Sequence, residues 1–237
     1  MSLVLDPLTP TIGAVVSGVA LADASDAEVD AVRAAAVEHR VLFFPEQHLD
    51  PEAQLAVARR IGEIDVAAFG PKHPDHPEMT VLDQVEPRGQ GADAWHTDNT
   101  YVACPPSFTI LQSVLLPEQG GDTCFADMYA AYDALSPALR ELLDGLTATH
   151  DLTKTLSRAI ADGNSDADLG AMQRAYPPVL HPVGRVHPDT GRRCLVVNGT
   201  FTTHLDGLTE AESAALLPML LADVEAPPFP CRWRGTA

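Results

Sequence analysis

The side chains best able to do chemistry in this chain are its nine histidines and 33 carboxylates, and five times they fall in the spacing His-x-Asp. The triplets are His48-Leu49-Asp50, His73-Pro74-Asp75, His96-Thr97-Asp98, His187-Pro188-Asp189 and His204-Leu205-Asp206. Residues i and i+2 of a β-strand point to the same face, so an imidazole and a carboxylate at that spacing can grip one cation without special backbone geometry. Context must choose among them, and Asp50 already reads as a helix N-cap. His73 sits in a proline-rich loop, His187 precedes the turn-like Asp189-Thr190-Gly191, and His204 comes just before a helix cap. His96 lies between Trp95 and Thr100-Tyr101, residues that favour strands, directly ahead of Cys104-Pro105-Pro106. A strand setting therefore favours His96 and Asp98.

Helices and strands must alternate to position such a pair. Ser25 and Glu28 have capping-box spacing ahead of Val29, Val32 and Ala36, which predicts a helix to about His39. Val41 to Phe44 reads as a short strand, and Asp50-Pro51 supplies an N-cap and first-turn proline for a helix ending near Gly62. Met79 to Leu82, Phe108 to Leu116 and Cys194 to Val197 read as further strands. Ser136-Pro137 opens a helix with Leu139, Leu142, Leu143 and Leu146 on one face, and Thr209 with Glu212 caps another before Leu216, Leu217 and Leu220. The polar, Asp-rich stretch from Lys154 to Pro178 reads as a long excursion, a lid or a solvated decoration. The pattern is that of a strand-rich core with flanking helices in one domain.

A chain of 237 residues with 46% hydrophobic and 20% charged residues has ordinary globular usage. The formal net charge of -18 repels phosphate backbones and anionic membranes, which argues against nucleic acid as a partner. The first ten residues lack a basic cluster ahead of an apolar run, and no apolar stretch reaches the roughly 18 residues of a membrane span, so a cytoplasmic protein is expected. Cys104, Cys124, Cys194 and Cys231 are scattered without a C-x-x-C pair, and buried free thiols are the default expectation.

A series of motifs runs through the chain in order. Trp95-His96-Thr97-Asp98 is followed by Pro105-Pro106, Leu116-Pro117 and Gly120-Gly121-Asp122-Thr123, then by Ala130-Ala131-Tyr132 and Leu135-Ser136. Next come His150-Asp151, His181-Pro182-Val183, Arg185-Val186-His187-Pro188, Val197-Asn198, Phe201-Thr202-Thr203, Gly207-Leu208 and Arg232-Trp233-Arg234. In order and spacing this resembles the taurine dioxygenase (TauD/TfdA) family of iron(II)- and 2-oxoglutarate-dependent oxygenases. The resemblance implies a mostly β fold with flanking α-helices, a double-stranded β-helix or jelly roll. It also implies Fe(II), with 2-oxoglutarate and O2 as cosubstrates, and a small-molecule substrate. Two histidines and one carboxylate hold one face of an octahedral iron and leave three positions open. In the family, 2-oxoglutarate takes two of these and dioxygen the third, and decarboxylation yields the oxidant that removes hydrogen from the substrate.

Carried over by resemblance, His96 and Asp98 are the two metal ligands close in sequence, and Thr123 matches the threonine that helps hold the distal carboxylate of 2-oxoglutarate. Asn99, Tyr101 and Phe201 fall where relatives line the substrate pocket. The sulfonate-binding histidine and tyrosine of the taurine enzymes correspond to Ala67 and Gly70, so taurine is not the expected substrate.

In the family the second histidine ligand follows a Trp-Asp-Asn-Arg motif beyond the Arg-Trp-Arg stretch, and an arginine for 2-oxoglutarate follows it. Here Arg234 is three residues from the end, so the resemblance implies a domain that is C-terminally truncated. An inactive homologue, a pseudoenzyme or metal-binding module, is the alternative on those grounds. Association with further copies of the chain stays open. A zinc hydrolase ranks last, for want of H-E-x-x-H or a clustered histidine set.

Overall fold

Ser25 and Glu28 close the expected capping box, each side chain accepting the other's backbone N–H, and the helix they start is Asp26–His39 (α1). Asp50 accepts the N–H of Ala53 at 2.8 Å and Pro51 occupies the first turn of Pro51–Ile61 (α2). Val29, Val32 and Ala35 of α1 and Leu55 and Val57 of α2 are the buried faces. The computed structural model describes residues 3–68, 70–82, 94–163, 165–224 and 229–235. These fall into two compact units, 1–82 with 110–127 and 227–237, and 83–109 with 128–226.

In the first unit, Val4–Pro7 (β1) runs antiparallel to Ala14–Ser17 (β2), which pairs in parallel with Leu42–Phe43 (β3). Thr123–Ala126 (β4) pairs antiparallel with Pro230–Trp233 (β10), putting Thr123 opposite Trp233. The core here is aromatic: the ring of Phe43 stacks on Trp233 at 4.3 Å and meets the edge of Phe125 at 5.7 Å, beside Ile12 and Cys231. Gly13, at φ 88, passes so close that a Cβ would stand 3.2 Å from the sulfur of Cys231.

In the second unit, Met128–Ala134 (α3) and Pro137–Asp144 (α4) lead into Thr147–His150 (β5), then Thr153–Ala161 (α5) and Leu169–Ala175 (α6). Val179–Pro182 (β6) follows, then the hairpin Gly184–Val186 (β7) and Arg193–Leu195 (β8), then Thr202–Asp206 (β9) and Glu210–Val224 (α7). The central sheet has the order β6-β5-β9, antiparallel throughout, with a register shift at Thr149/His150. The capping box at Thr209 and Glu212 forms as expected.

Several expectations are corrected. No strand exceeds five residues while α1, α2 and α7 hold 14, 11 and 15, so the described residues are richer in helix than in strand. Met79 to Leu82 supplies only an isolated bridge, Lys72 to Thr80. Phe108 to Leu116 forms no strand, because among the described residues no edge takes up its backbone groups, and Leu111, Val114 and Leu115 stand exposed. Apolar, β-prone composition makes a strand only where a partner completes the ladder. The Lys154 to Pro178 excursion carries two helices, whose Leu156, Ile160, Leu169, Met172 and Tyr176 pack on Tyr101, Leu152 and Phe201. All four thiols are free, but only Cys231 is buried.

Candidate metal centre

His96 and Asp98 are not on a strand. His96 lies in irregular chain and Asp98 directly precedes the turn Asn99 to Val102, which is closed by the N–H of Val102 donating to the carbonyl of Asn99 at 3.1 Å. Asn99 takes φ 51, the left-handed region that asparagine tolerates better than most residues. It is His204-Leu205-Asp206 that lies on a strand, β9. The i, i+2 argument thus applies to His204 and Asp206 and not to His96 and Asp98, and each pair's surroundings have to be compared.

The two pairs share a geometry. Nε2 of His96 is 3.2 Å from Oδ1 of Asp98, and Nε2 of His204 is 3.2 Å from Oδ1 of Asp206. A threonine hydroxyl donates to the other oxygen of each carboxylate, Thr109 to Asp98 at 2.7 Å and Thr149 to Asp206 at 2.9 Å. At Nδ1 the two rings are again alike. That of His96 lies 3.0 Å from the carbonyl oxygen of Ala94, which can only accept, so Nδ1 carries the proton. Nε2 of His96 then faces Oδ1 of Asp98 as the second N–H of an imidazolium, an ion pair, or as a lone pair that a bound cation would share with the carboxylate. Nδ1 of His204 lies 3.0 Å from the hydroxyl oxygen of Thr203, whose own proton goes to the carbonyl of Thr149 at 3.1 Å, so here too Nδ1 carries the proton and donates it. The two pairs differ instead in their support, His204 and Asp206 being held in the ladder between β5 and β9 while His96 and Asp98 lie outside any strand.

The members of the first pair are electrostatically coupled. The hydrogen bond to Asp98 raises the pKa of His96 against the opposing effect of burial, and the same bond, with help from Thr109, lowers that of Asp98. The donors also fit a metal. At about 2.1 Å from a first-row divalent ion, two nitrogen or oxygen ligands at right angles lie about 3 Å apart. The 3.2 Å gap matches that separation. The carbonyl of Ala94 and the hydroxyl of Thr109 are the outer partners that orient such ligands. Neither was read from the sequence; a carbonyl has no sequence signal, and Thr109 is eleven residues from the carboxylate it serves. Among the described residues no group of three or more histidine, cysteine or acidic side chains converges on one point.

The other predicted residues are distributed as follows. Thr123 is the first residue of β4, exposed, in the first unit. Tyr101 and Phe201 are 2% and 5% exposed, their rings 5.1 Å apart in the core of the second unit, with Tyr176 edge-on to Tyr101 at 5.5 Å. Asn99, with its left-handed backbone, is the one of the three pocket candidates that is not packed in that core cluster. His150 and His181 are buried in the same unit, 0% and 3% exposed, while His187 and His204 belong to the hairpin and to β9.

Comparison with known proteins places this geometry in a family. The sequence model described as Taurine catabolism dioxygenase TauD, TfdA family, matches residues 5–234 and thus spans both units. The chain is 37% identical to the (S)-phenoxypropionate/alpha-ketoglutarate-dioxygenase of Sphingobium herbicidovorans, over 94% of this chain and 79% of that protein. It is 36% identical to the alpha-ketoglutarate-dependent sulfate ester dioxygenase of Pseudomonas putida, over 100% and 79%. A crystal structure of a taurine dioxygenase from Burkholderia xenovorans superposes with a TM-score of 0.79 at 33% identity, covering 100% of this chain and 79% of that one. The fold is therefore that of the TauD-type jelly-roll dioxygenases. The chain belongs to the TauD/TfdA family and is an enzyme of the Fe(II)- and 2-oxoglutarate-dependent dioxygenase class, which acts on small organic substrates. Among the described residues no helix is long and apolar enough to cross a membrane.

Proposed function

We propose that His96 and Asp98 are two of the ligands through which this dioxygenase binds iron(II), and that Thr123 donates its hydroxyl to the distal carboxylate of 2-oxoglutarate. What supports the first assignment is the motif Trp95-His96-Thr97-Asp98 within the family match, together with Nε2 of His96 standing 3.2 Å from Oδ1 of Asp98 while the Ala94 carbonyl takes the Nδ1 proton. Thr109 occupies the other carboxylate oxygen, so one oxygen and one nitrogen are left to share a cation. The bound iron supplies, with 2-oxoglutarate and O2, the chemistry by which a C–H bond of the substrate becomes C–OH while 2-oxoglutarate leaves as succinate and CO2.

For the substrate, the resemblance to relatives named for (S)-phenoxypropionate and for sulfate esters supports a small organic anion with an aryl-ether or sulfate-ester skeleton. Taurine is disfavoured by Ala67 and Gly70. Gly70 has φ 96, a backbone that a tyrosine would adopt only with strain. Asn99 is the pocket candidate best placed to touch substrate, while Tyr101 and Phe201 would shape the pocket from behind by their packing. A cytoplasmic enzyme without nucleic-acid or membrane partners is part of the same reading, supported by the net charge of -18.

The test is 2-oxoglutarate consumption with iron(II) and ascorbate across a panel of small organic anions, comparing the native chain with His96→Ala, Asp98→Ala and His204→Ala. Consumption that survives His96→Ala but not His204→Ala would reverse the assignment.

A further inference from the structure

Thr100 stands two residues after Asp98, 2% exposed, and three side chains from three separate segments close on it. Nδ2 of Asn198, between β8 and β9, donates to its hydroxyl oxygen at 3.0 Å, and Nδ1 of His150, at the end of β5, lies 2.9 Å from the same atom. The orientation of Asn198 is fixed, since its Oδ1 accepts the N–H of Thr200 at 3.1 Å and of Phe201 at 2.8 Å. The hydroxyl of Thr100 is thus accepting on one side and free to donate to His150 on the other. Nε2 of His150 in turn faces the hydroxyl of Thr202 at 3.2 Å, and that oxygen accepts the N–H of Asn198 at 2.9 Å. His181, on β6, aims Nε2 at the carbonyls of Thr100 and Val102, 2.9 and 3.1 Å away. Both are acceptors only, so that nitrogen carries a proton shared between them.

His150, His181, Asn198 and Thr202 are all at most 4% exposed. Burying so many polar groups seldom stabilises a fold more than well-packed apolar residues of the same volume would, so their value lies in a defined geometry. The geometry they define is the turn Asn99 to Val102, which begins directly after Asp98. His204 and Asp206 need nothing comparable, because the ladder between β5 and β9 already fixes them. Given the assignment of His96 and Asp98 above, we infer that Thr100 is a positioning residue for the metal ligand Asp98, held by His150 and Asn198 through its hydroxyl and by His181 through its carbonyl.

The test is the affinity of the full chain for Mn(II), without cosubstrate, beside its unfolding midpoint. Thr100→Val should weaken Mn(II) about tenfold to a hundredfold, the range for losing an outer partner of a ligand, and Thr100→Ser should restore it to within about threefold. Leu143→Ala, a truncation of a fully buried residue of α4, should lower the midpoint and leave Mn(II) affinity within about threefold. A general loss of stability would instead weaken metal binding in Thr100→Val and Leu143→Ala alike, and that result overturns the positioning role. Native Mn(II) binding that is undiminished in Thr100→Val also overturns it while leaving the ligand assignment standing; a native chain that binds no Mn(II) overturns both. Hydrogen exchange of the native protein needs no variant to fold. The Val102 amide should exchange at least about a hundredfold more slowly than an exposed loop amide, and exchange at the loop rate would show that the turn is not clamped.

Discussion

The irregular segment that carries His96-Thr97-Asp98 and the strand that carries His204-Leu205-Asp206 hold the same two side chains at the same 3.2 Å, each carboxylate backed by a threonine hydroxyl. What separates them is how each is supported. The Nδ1 proton of His96 goes to the Ala94 carbonyl and that of His204 to the Thr203 hydroxyl oxygen, which itself donates to the Thr149 carbonyl. His204 and Asp206 sit in the ladder between β5 and β9, while His96 and Asp98 lie outside any strand, just before a turn held by buried polar side chains. Ligand-like spacing and the protonation of the second ring nitrogen are therefore weak signs of a metal site by themselves, and the ordered motifs around His96 and Asp98 carry the choice.

The comparison breaks most decisively at the ligands themselves. His96→Ala and Asp98→Ala should each weaken Mn(II) binding by more than about a hundredfold, beyond the range seen for outer-shell changes, and abolish 2-oxoglutarate consumption. His204→Ala and Asp206→Ala should leave both within experimental error, and a matching loss in either pair of variants would erase the distinction.

The next largest effect is on stability with pH, at His150. Burial, then the charge of His181, press its pKa from 6.5 to about 4 in the folded protein. The folded value lies below the unfolded one, so the unfolded chain binds the proton first. Stability is intact above about pH 6.5, declines as the pH falls towards about 4, and stops changing below it, for a loss of up to about 3 kcal/mol. Urea unfolding at pH 7.5, 5.5 and 4 measures this, and a His150→Gln chain should show a correspondingly shallower decline.

Smaller still is the contribution of single hydroxyls. Thr123→Val should weaken 2-oxoglutarate binding about tenfold to a hundredfold, since a hydrogen bond to a charged group is worth roughly 1.5 to 3 kcal/mol and 1.4 kcal/mol is a decade. Calorimetric titration with unchanged affinity would remove Thr123 from the site. Thr109→Val should cost about tenfold in Mn(II) affinity, while its counterpart Thr149→Val should cost none. At the low end, Asn99→Val should lose about 1 to 2 kcal/mol of stability to the left-handed backbone, and Asn99→Gly much less, by thermal or chemical unfolding.

The amino-acid sequence determined whatever depends on neighbours a few residues away. The capping boxes at Ser25 and Thr209, the Asp50-Pro51 start of α2 and the proline-led start of α4 all form where their spacing says, because each is satisfied within one helical turn. The ordered motifs also sufficed for the family, which the match over residues 5–234 bears out. Strands were less legible, because a ladder needs a partner distant in sequence: Phe108 to Leu116 has the composition of a strand and no ladder, while His204 looks like the approach to a helix and lies on β9 beside β5. The candidate centre divides in the same way. His96 and Asp98 could be nominated from spacing and motif, but the reason given, a shared strand face, was not the physical one. Only the tertiary structure set the Ala94 carbonyl behind the imidazole, brought Thr109 to the carboxylate and drew His150, His181 and Asn198 around Thr100. Those contacts join groups up to 98 residues apart, and proton placement follows from which donor faces which acceptor in space.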